Sequence, residues 1–271
     1  MAKKVGICRI CTLTKALSKE HIPPRNAYNS EDVILSKPDL QSFDPFVNWK
    51  KRIIQGGYSE FVICESCNNQ TGTWYGREYG TFASSCVSTA NESNLKKTVP
   101  IVIPKLMPLR VYKQALTTIC ASAKPDFSRR LDLVVGKNPN DWGVIKPKEA
   151  KDLSLISKTL PDIQKFILDK TANKPAFSVR LFTYLVAEES RGRMSGYSKQ
   201  GSKSTGKLET IAEFARWPVG WVLVFDGEPK PPLCEVSGWS NYEYDETATI
   251  SLNIPCYSIK SAVPLDFGRL S

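Results

Sequence analysis

Two Cys-x-x-Cys pairs, Cys8-Arg9-Ile10-Cys11 and Cys64-Glu65-Ser66-Cys67, constrain this chain more than any other feature. Two residues between thiols let one tight turn aim both sulfurs at a single ion. Two such pairs supply four thiolates, which close a tetrahedron with no position left for water. The expected ion is a structural Zn²⁺, and the chain must then fold so that the turn at residues 8–11 meets the turn at residues 64–67.

A disulfide framework is the competing use of cysteine. The opening MAKKVGICRICTLT has neither the apolar h-region nor the small-residue cleavage site of a signal peptide. No apolar run approaches the ~18 residues of a membrane-spanning helix. A cytoplasmic address without a membrane partner is expected, and there paired cysteines serve metals rather than disulfides. A redox Cys-x-x-Cys belongs in a βαβ unit, and the flanking residues do not read as one. Cys86, Cys120, Cys234 and Cys256 have no paired spacing and read as core thiols.

The 271 residues, 41% hydrophobic, suffice for one large domain or two modest ones. The expected class is α+β. Residues 1–85 hold both Cys pairs, the only histidine and a Gly-Gly; residues 86–271 read as a mixed α/β, β-rich accessory region suited to nucleic-acid or target recognition. Within the first unit, residues 30–55 are broken by Pro and Asp and read as an irregular insertion. GTWYGREYGTFA, after the second Cys pair, is compatible with a helix. Pro100, Pro104 and Pro108 mark a linker or edge-strand ends. Leu109–Ala123 has amphipathic helical spacing, and a second helix over Asp162–Lys170 is expected to start after Pro161. From Phe177 onward FSVRLFTYLVAEE, WVLVFDG, PLCEVSGW and TATISLNIPCYSI read as strands. Trp217, Trp221 and Trp239 fall in this part and read as core before they read as base-stacking platforms.

Histidine occurs once, as Glu20-His21 within SKEHIPP, between the two Cys pairs. A lone histidine is most often a satisfied structural residue, but its neighbours point elsewhere. CRIC, SKEHIPP, the Gly56-Gly57 pair and VICESCNNQTG occur in that order. Together they resemble the HNH endonucleases of the ββα-metal, treble-clef-like type, and within them a bacterial subgroup with paired knuckles, a Glu-His strand and a closing C-x-x-C-N-N. The resemblance covers about the first third of the chain. It implies a zinc-stapled ββα-metal module in which His21 is the general base, Glu20 a metal-binding carboxylate, and Asn68 the closing residue, with Asn69 as the fallback register.

The chemistry is consistent with that assignment. Hydrolysis of a phosphodiester needs a deprotonated water, an electrophile on the phosphate and a stabilised leaving oxygen. An imidazole accepts a proton near neutral pH. A carboxylate and an amide carbonyl, from Glu20 and Asn68, are oxygen ligands suited to a catalytic Mg²⁺ or Mn²⁺. Because neighbours on a strand face opposite ways, the strand must end or twist at Glu20-His21 for both to reach one phosphate. Asn68 is expected to start the following helix.

Two positions depart from the resemblance. The middle Asn of the family falls nine positions before the closing residue, and here that position is Ser59, which would hold the loop orienting the base with less reach. The interval from His21 to Asn68 is also longer than usual, so residues 30–55 must loop out.

Net charge is +10, which favours phosphate-bearing partners. Lys96–Lys148 carries eleven Lys/Arg against three acids. SRGRMSGYSKQGSKSTGK carries Arg191, Arg193, Lys199 and Lys203 and no acid, and reads as a mobile basic loop that contacts nucleic acid. The expected activity is metal-dependent endonucleolytic cleavage, of DNA before RNA, in the setting of antiviral defence that such small proteins resemble. Each HNH site cuts one strand, which leaves room for a homodimer or an activating partner protein. The alternative is a non-catalytic, zinc-dependent nucleic-acid-binding module. A zinc deaminase is disfavoured because Glu-His has the wrong order and no Pro precedes either Cys pair.

Overall fold

The structure is a computed structural model that describes residues 4–37, 50–92, 98–122, 153–202, 208–227 and 233–259. It begins with β1 (Val5–Ile7) and β2 (Thr14–His21), joined by the first Cys turn. β5 (Ser59–Cys64) pairs with β2 to complete a small antiparallel sheet, β1-β2-β5. β5 feeds α1 (Glu65–Thr71), a π-helical turn (Gly72–Gly76) and α2 (Arg77–Glu92) without a break. The expected helix after the second Cys pair is therefore present, but it begins at Glu65, so Asn68 lies within its first turn instead of opening it.

The segment expected as an irregular insertion is ordered at both ends. β3 (Val33–Lys37) and β4 (Lys50–Ile54) form an antiparallel ladder with Ile34 opposite Ile53. β-Branched residues on both sides favour this pairing, and Val33 is fully buried at its root. Residues 38–49 lie outside the described residues.

The larger sheet has the order β6-β12-β7-β10-β9-β8, built from β6 (Thr98–Leu106), β7 (Arg180–Val186), β8 (Met194–Ser202), β9 (Leu208–Arg216), β10 (Val219–Asp226) and β12 (Ala248–Tyr257). It is mixed, because β12 runs parallel to β7 while the other pairs are antiparallel. The short β11 (Cys234–Glu235) pairs with β7 at Phe182 and Thr183. PLCEVSGW is thus a strand for only two residues and then turns into a 3₁₀ segment, Ser237–Asn241, that buries Trp239. Pro100 and Pro104 lie in β6, the outermost strand of the sheet, where a missing N–H costs no ladder bond on the open side.

Central strands of this sheet are buried on both faces. Leu181, Leu185, Trp221 and Leu223 enter one core, and Phe182, Tyr184, Val222 and Val224 a second on the other side. The first core also takes in Cys8, Ile10, Tyr79, Phe82 and Cys120, so the Cys-bearing sheet and the larger sheet pack around the same side chains. At its centre the Trp221 indole N–H donates to the Tyr79 hydroxyl at 2.8 Å. Trp217, Trp221 and Trp239 are all buried, as expected for core residues.

Three further expectations are corrected. α3 (Pro108–Ser122) is not amphipathic: every residue from Leu109 to Ala121 except Arg110 is buried, because α2, the π turn, β9 and β10 close around it. α4 (Leu153–Leu168) begins before Pro161 and carries it internally. The ring forfeits one helical bond to the carbonyl four residues back, and Ile163, Phe166 and Ile167 still bury a stripe against α3. The basic Gly/Ser segment is not a loop either: Met194–Ser202 is paired along its length with β9. An outermost strand tolerates Lys and Gly because only one side of its backbone needs a partner. Among the described residues no helix is long and apolar enough to cross a membrane.

Burial of α3 has one titratable consequence. Lys113 is fully buried, and its ammonium donates to the Asp169 carbonyl at 2.6 Å, just past the end of α4, and lies 4.3 Å from the Phe166 ring centre. Burial pushes its pKa down to about 8 from an ordinary 10.5. Between those values the unfolded chain holds a proton that the folded chain lacks, so this group makes stability rise as pH rises through the window. The melting temperature of the native protein is expected to gain on that of Lys113→Met between pH 7.5 and 9.5. Parallel melting curves across that range would contradict this.

Candidate metal centre and the histidine beside it

The four paired cysteines converge. Cys8 and Cys11 flank the turn between β1 and β2, Cys64 ends β5, and Cys67 lies in the first turn of α1. Their sulfurs all lie within 4.8 Å of one another, and those of Cys11 and Cys64 are 3.8 Å apart. A tetrahedron with Zn–S bonds of about 2.3 Å has edges of about 3.8 Å, so the cluster has the size and the donor chemistry of a structural zinc site.

The turns are built by the backbone. Cys8 N–H donates to the Leu13 carbonyl at 3.0 Å, Thr12 N–H returns to the Cys8 carbonyl at 2.9 Å, and Thr12 takes a positive φ of 61° to close the turn. Backbone N–H groups of Ile10 and Cys64 point at the Cys8 sulfur, at 3.5 and 3.3 Å. The crowding splits the thiols. A hydrogen bond from Cys67, together with the backbone N–H groups, draws Cys8 down to about 4, and the same contact and burial drive Cys67 up. Such a cluster is satisfied by a cation that takes all four as thiolates. The first turn is also pinned to the rest of the molecule: Arg9 donates to the Ala121 carbonyl at the end of α3 and pairs with Glu60, and Gln164 of α4 donates to the Arg9 carbonyl at 2.9 Å.

Glu20 and Asn68 meet across β2 and α1. The Asn68 amide donates to Ser18 Oγ at 3.1 Å and lies near enough to the Glu20 carboxylate to lower its pKa. Ser18 and Glu20, two apart on β2, thus both face α1. Burial pushes Glu20 up to about 7, against the pull of the Asn68 amide. Asn69 is exposed on the helix, which leaves Asn68 as the inward-facing register.

His21 is the last residue of β2 and pairs in register with Ser59, the first of β5. Its imidazole stands near the Gly56 carbonyl. Burial holds its pKa below the usual imidazole range, helped by the positive charges of Arg25, Lys19 and Arg216, while the Gly56 contact opposes them. Asn68 thus lies beside Glu20, and His21 follows Glu20 at the end of the strand, near Gly56.

The loop after His21 is held by residues that the spacing argument did not single out. Asn29 is fully buried; its amide donates to the Pro23 carbonyl at 2.6 Å and the Tyr58 carbonyl at 2.9 Å, and its oxygen accepts from Tyr58 N–H at 2.8 Å. The loop-holding part expected of Ser59 is thus played from the other side by Asn29. Gly57 permits it: at φ 94° it lies so close that a Cβ there would sit 2.0 Å from the Asn29 carbonyl oxygen. Asn26 fastens the same loop to the π turn by donating to the Gly76 carbonyl at 2.9 Å. Two asparagines within RNAYNSED are visible in the sequence, but nothing in their spacing says which one is buried. We expect Asn29→Ala, which takes the partner from the Pro23 carbonyl and the Tyr58 N–H and leaves the Tyr58 carbonyl only Ile22 N–H, to cost at least ~2 kcal/mol, measured as a lowered urea midpoint with unchanged slope. A loss within ~0.5 kcal/mol would mean the loop is held by other contacts.

The basic residues assigned to nucleic acid fare unevenly. Arg191 bonds to both Glu31 and Glu188 and lies over the Trp217 ring, 4.6 Å from its centre. Arg193 donates to the Ile259 carbonyl at 2.9 Å. Lys199 belongs to β8, paired with Ile211, and Lys203 lies outside the described residues. No protein family, curated protein or solved structure matches the chain.

Proposed function

We propose that this protein is a metal-dependent endonuclease with an HNH-like, ββα-metal site, acting on DNA before RNA. One observation carries the reading. The pair Glu20–Asn68 is built across a strand and a helix that the cysteine cluster ties together, and the chain's only imidazole follows Glu20 directly.

The residues present suit the parts required. Asn68 turns its nitrogen toward Ser18 and Glu20, and a flip of the amide would bring its carbonyl oxygen beside the Glu20 carboxylate, an all-oxygen pair of the kind that holds Mg²⁺ or Mn²⁺ with water and phosphate completing the shell. Such an ion, when bound, supplies Lewis-acid stabilisation of the phosphate and the leaving oxygen. His21 is biased toward its neutral form, and a neutral imidazole accepts the proton of an attacking water. Lys19 and Arg25, both exposed, stand near the imidazole and favour an anionic substrate there.

The test is cleavage of supercoiled plasmid by zinc-loaded protein with Mg²⁺ or Mn²⁺, with EDTA as the blank and Glu20→Gln as the variant. Nicking that needs added metal and falls at least ~100-fold in Glu20→Gln is expected. Plasmid bound tightly and never cut, with either ion, would replace the nuclease by a zinc-dependent binding module. Glu20→Gln cutting like the native protein would remove Glu20 from the site.

A further inference from the structure

The β3–β4 ladder carries charge of one sign. Lys37, Lys50, Lys51 and Arg52 fill four of its ten positions, and none of the ten is acidic. The register sets Lys37 directly opposite Lys50. Like charges at directly opposed positions destabilise a ladder. Folding alone therefore gives no reason to place them there, whereas an anion bound across the two strands does.

The root of this ribbon is held by both sheets. Val33 is fully buried, and Asp32 just before it accepts from Gly56 N–H at 3.2 Å, which closes the two strands at their base. Ile34 N–H donates to the Gly192 carbonyl at 2.6 Å and bridges to Arg193, where β8 begins. Arg216, the last residue of β9, is 3% exposed, and its Nη2 donates to the Tyr28 and Glu31 carbonyls at 3.3 Å each. Arg191 bonds to the Glu31 carboxylate from outside. The ribbon also starts and ends at the candidate site. β3 follows the loop after His21, and β4 returns through Gly56, Gly57 and Tyr58 to Ser59, which pairs with His21. Five residues, at a rise of ~3.4 Å each, carry Lys37 and Lys50 about 17 Å from that root.

We propose that the β3–β4 ribbon is an arm for duplex DNA: it enters the major groove beside the phosphate to be cut, with Lys37, Lys50, Lys51 and Arg52 serving the phosphates that flank the groove. The place beside the cut rests on the nuclease reading; the binding of duplex does not. A B-form major groove, about 12 Å wide, admits a two-stranded ribbon. The ladder holds no aromatic residue, so it offers no platform on which the bases of a single strand could stack. Duplex RNA is the poorer fit, because its major groove is too narrow and deep for side chains to read.

The test is binding of zinc-loaded protein to a short labelled DNA duplex, to its separated strand and to the matching RNA duplex, without added Mg²⁺ or Mn²⁺ so that nothing is cut. The DNA duplex is expected to bind tightest. Lys37→Gln/Lys50→Gln is expected to weaken it at least ~10-fold at ~0.15 M salt and to flatten the slope of log K against log salt by about 1.8, the release from two phosphates. Lys165→Gln/Lys174→Gln removes the same charge from two exposed lysines in and beyond α4 and is expected to keep the native slope. The ribbon variant should melt no lower than the native protein, since an opposed like-charge pair is gone. Should it lose zinc or melt early, Lys50→Gln alone removes that pair and is expected to flatten the slope by about 0.9. The inference is overturned by a ribbon variant with the native slope, by equal losses in the two double variants, or by native protein that prefers the single strand or the RNA duplex. A flattened slope in a protein whose native form never nicks plasmid upholds the ribbon and removes the nuclease. Metal-dependent nicking by the native protein, with slope and nicking unchanged in the ribbon variant, keeps the nuclease and removes the ribbon.

Discussion

Cys64→Ser protein is expected to emerge without zinc and without the native fold of its N-terminal sheet. Structural zinc in a thiolate cage supplies about 10–16 kcal/mol at neutral pH, as much as the ~5–15 kcal/mol that holds a whole domain folded. The loss should spread beyond the cage. Cys8, Cys64 and Cys67 share one core with Tyr79, Phe82 and Trp221, and Arg9, at the tip of the first turn, bonds to the end of α3. Prolonged chelation should act like the mutation: loss of far-UV ellipticity, exposed tryptophan fluorescence and a fall in melting temperature that zinc reverses. Cys86→Ser and Cys120→Ser are the controls, because both thiols are buried in the same core but lie outside the cluster. They should keep one zinc per chain. A Cys64→Ser protein that melts like the native one, or native protein that purifies with far less than one zinc per chain, would mean the four thiols pack without an ion.

The second large effect is on chemistry alone. His21→Ala is expected to lose about 10² to 10⁴ in nicking rate, the usual share of a general base, while binding plasmid and zinc as before. The fold should notice little. The imidazole is only partly buried, and the nearby Gly56 stays held through its N–H by Asp32 when the ring is removed. A change within ~1 kcal/mol is expected from such a loss. With no second histidine in the chain, no other imidazole stands in. Undiminished cleavage by His21→Ala would remove the base from the mechanism; loss of both cleavage and zinc would show that His21 supports the fold and leave its chemistry without evidence.

Much of the local pattern was legible in the residues. Cys-x-x-Cys is a local geometry, so its meaning survives without knowledge of the fold. Tryptophans taken into the core and a helix following the second Cys pair were equally readable; of the prolines read as a linker or strand ends, Pro100 and Pro104 lie inside β6 and Pro108 opens α3. Three misreadings share one cause. α3 looked amphipathic because its polar residues, Lys113, Gln114, Thr117 and Thr118, were assumed to meet water; the fold instead buries them, giving Lys113 carbonyls past the end of α4 and the threonines their own helix backbone. The segment around Lys199 looked like a loop because Gly, Ser and Lys disfavour strands, but pairing with β9 outweighs propensity. Arg191 was read without an acidic partner because its own segment holds none; Glu188 stands three residues before it, and Glu31 arrives from far along the chain.

What the sequence determined by itself was the four-thiol cluster and the residues placed next to it, because thiol spacing and the Glu20-His21 dipeptide act over a few bonds. What only the tertiary structure decided was the support around it: that Asn29 holds the loop after His21, that Asn68 comes to lie beside Glu20, and that Arg216 reaches in from the far sheet. Hydrogen bonds of that kind join residues tens to nearly two hundred positions apart, and their existence depends on which backbone groups folding leaves buried and unpaired.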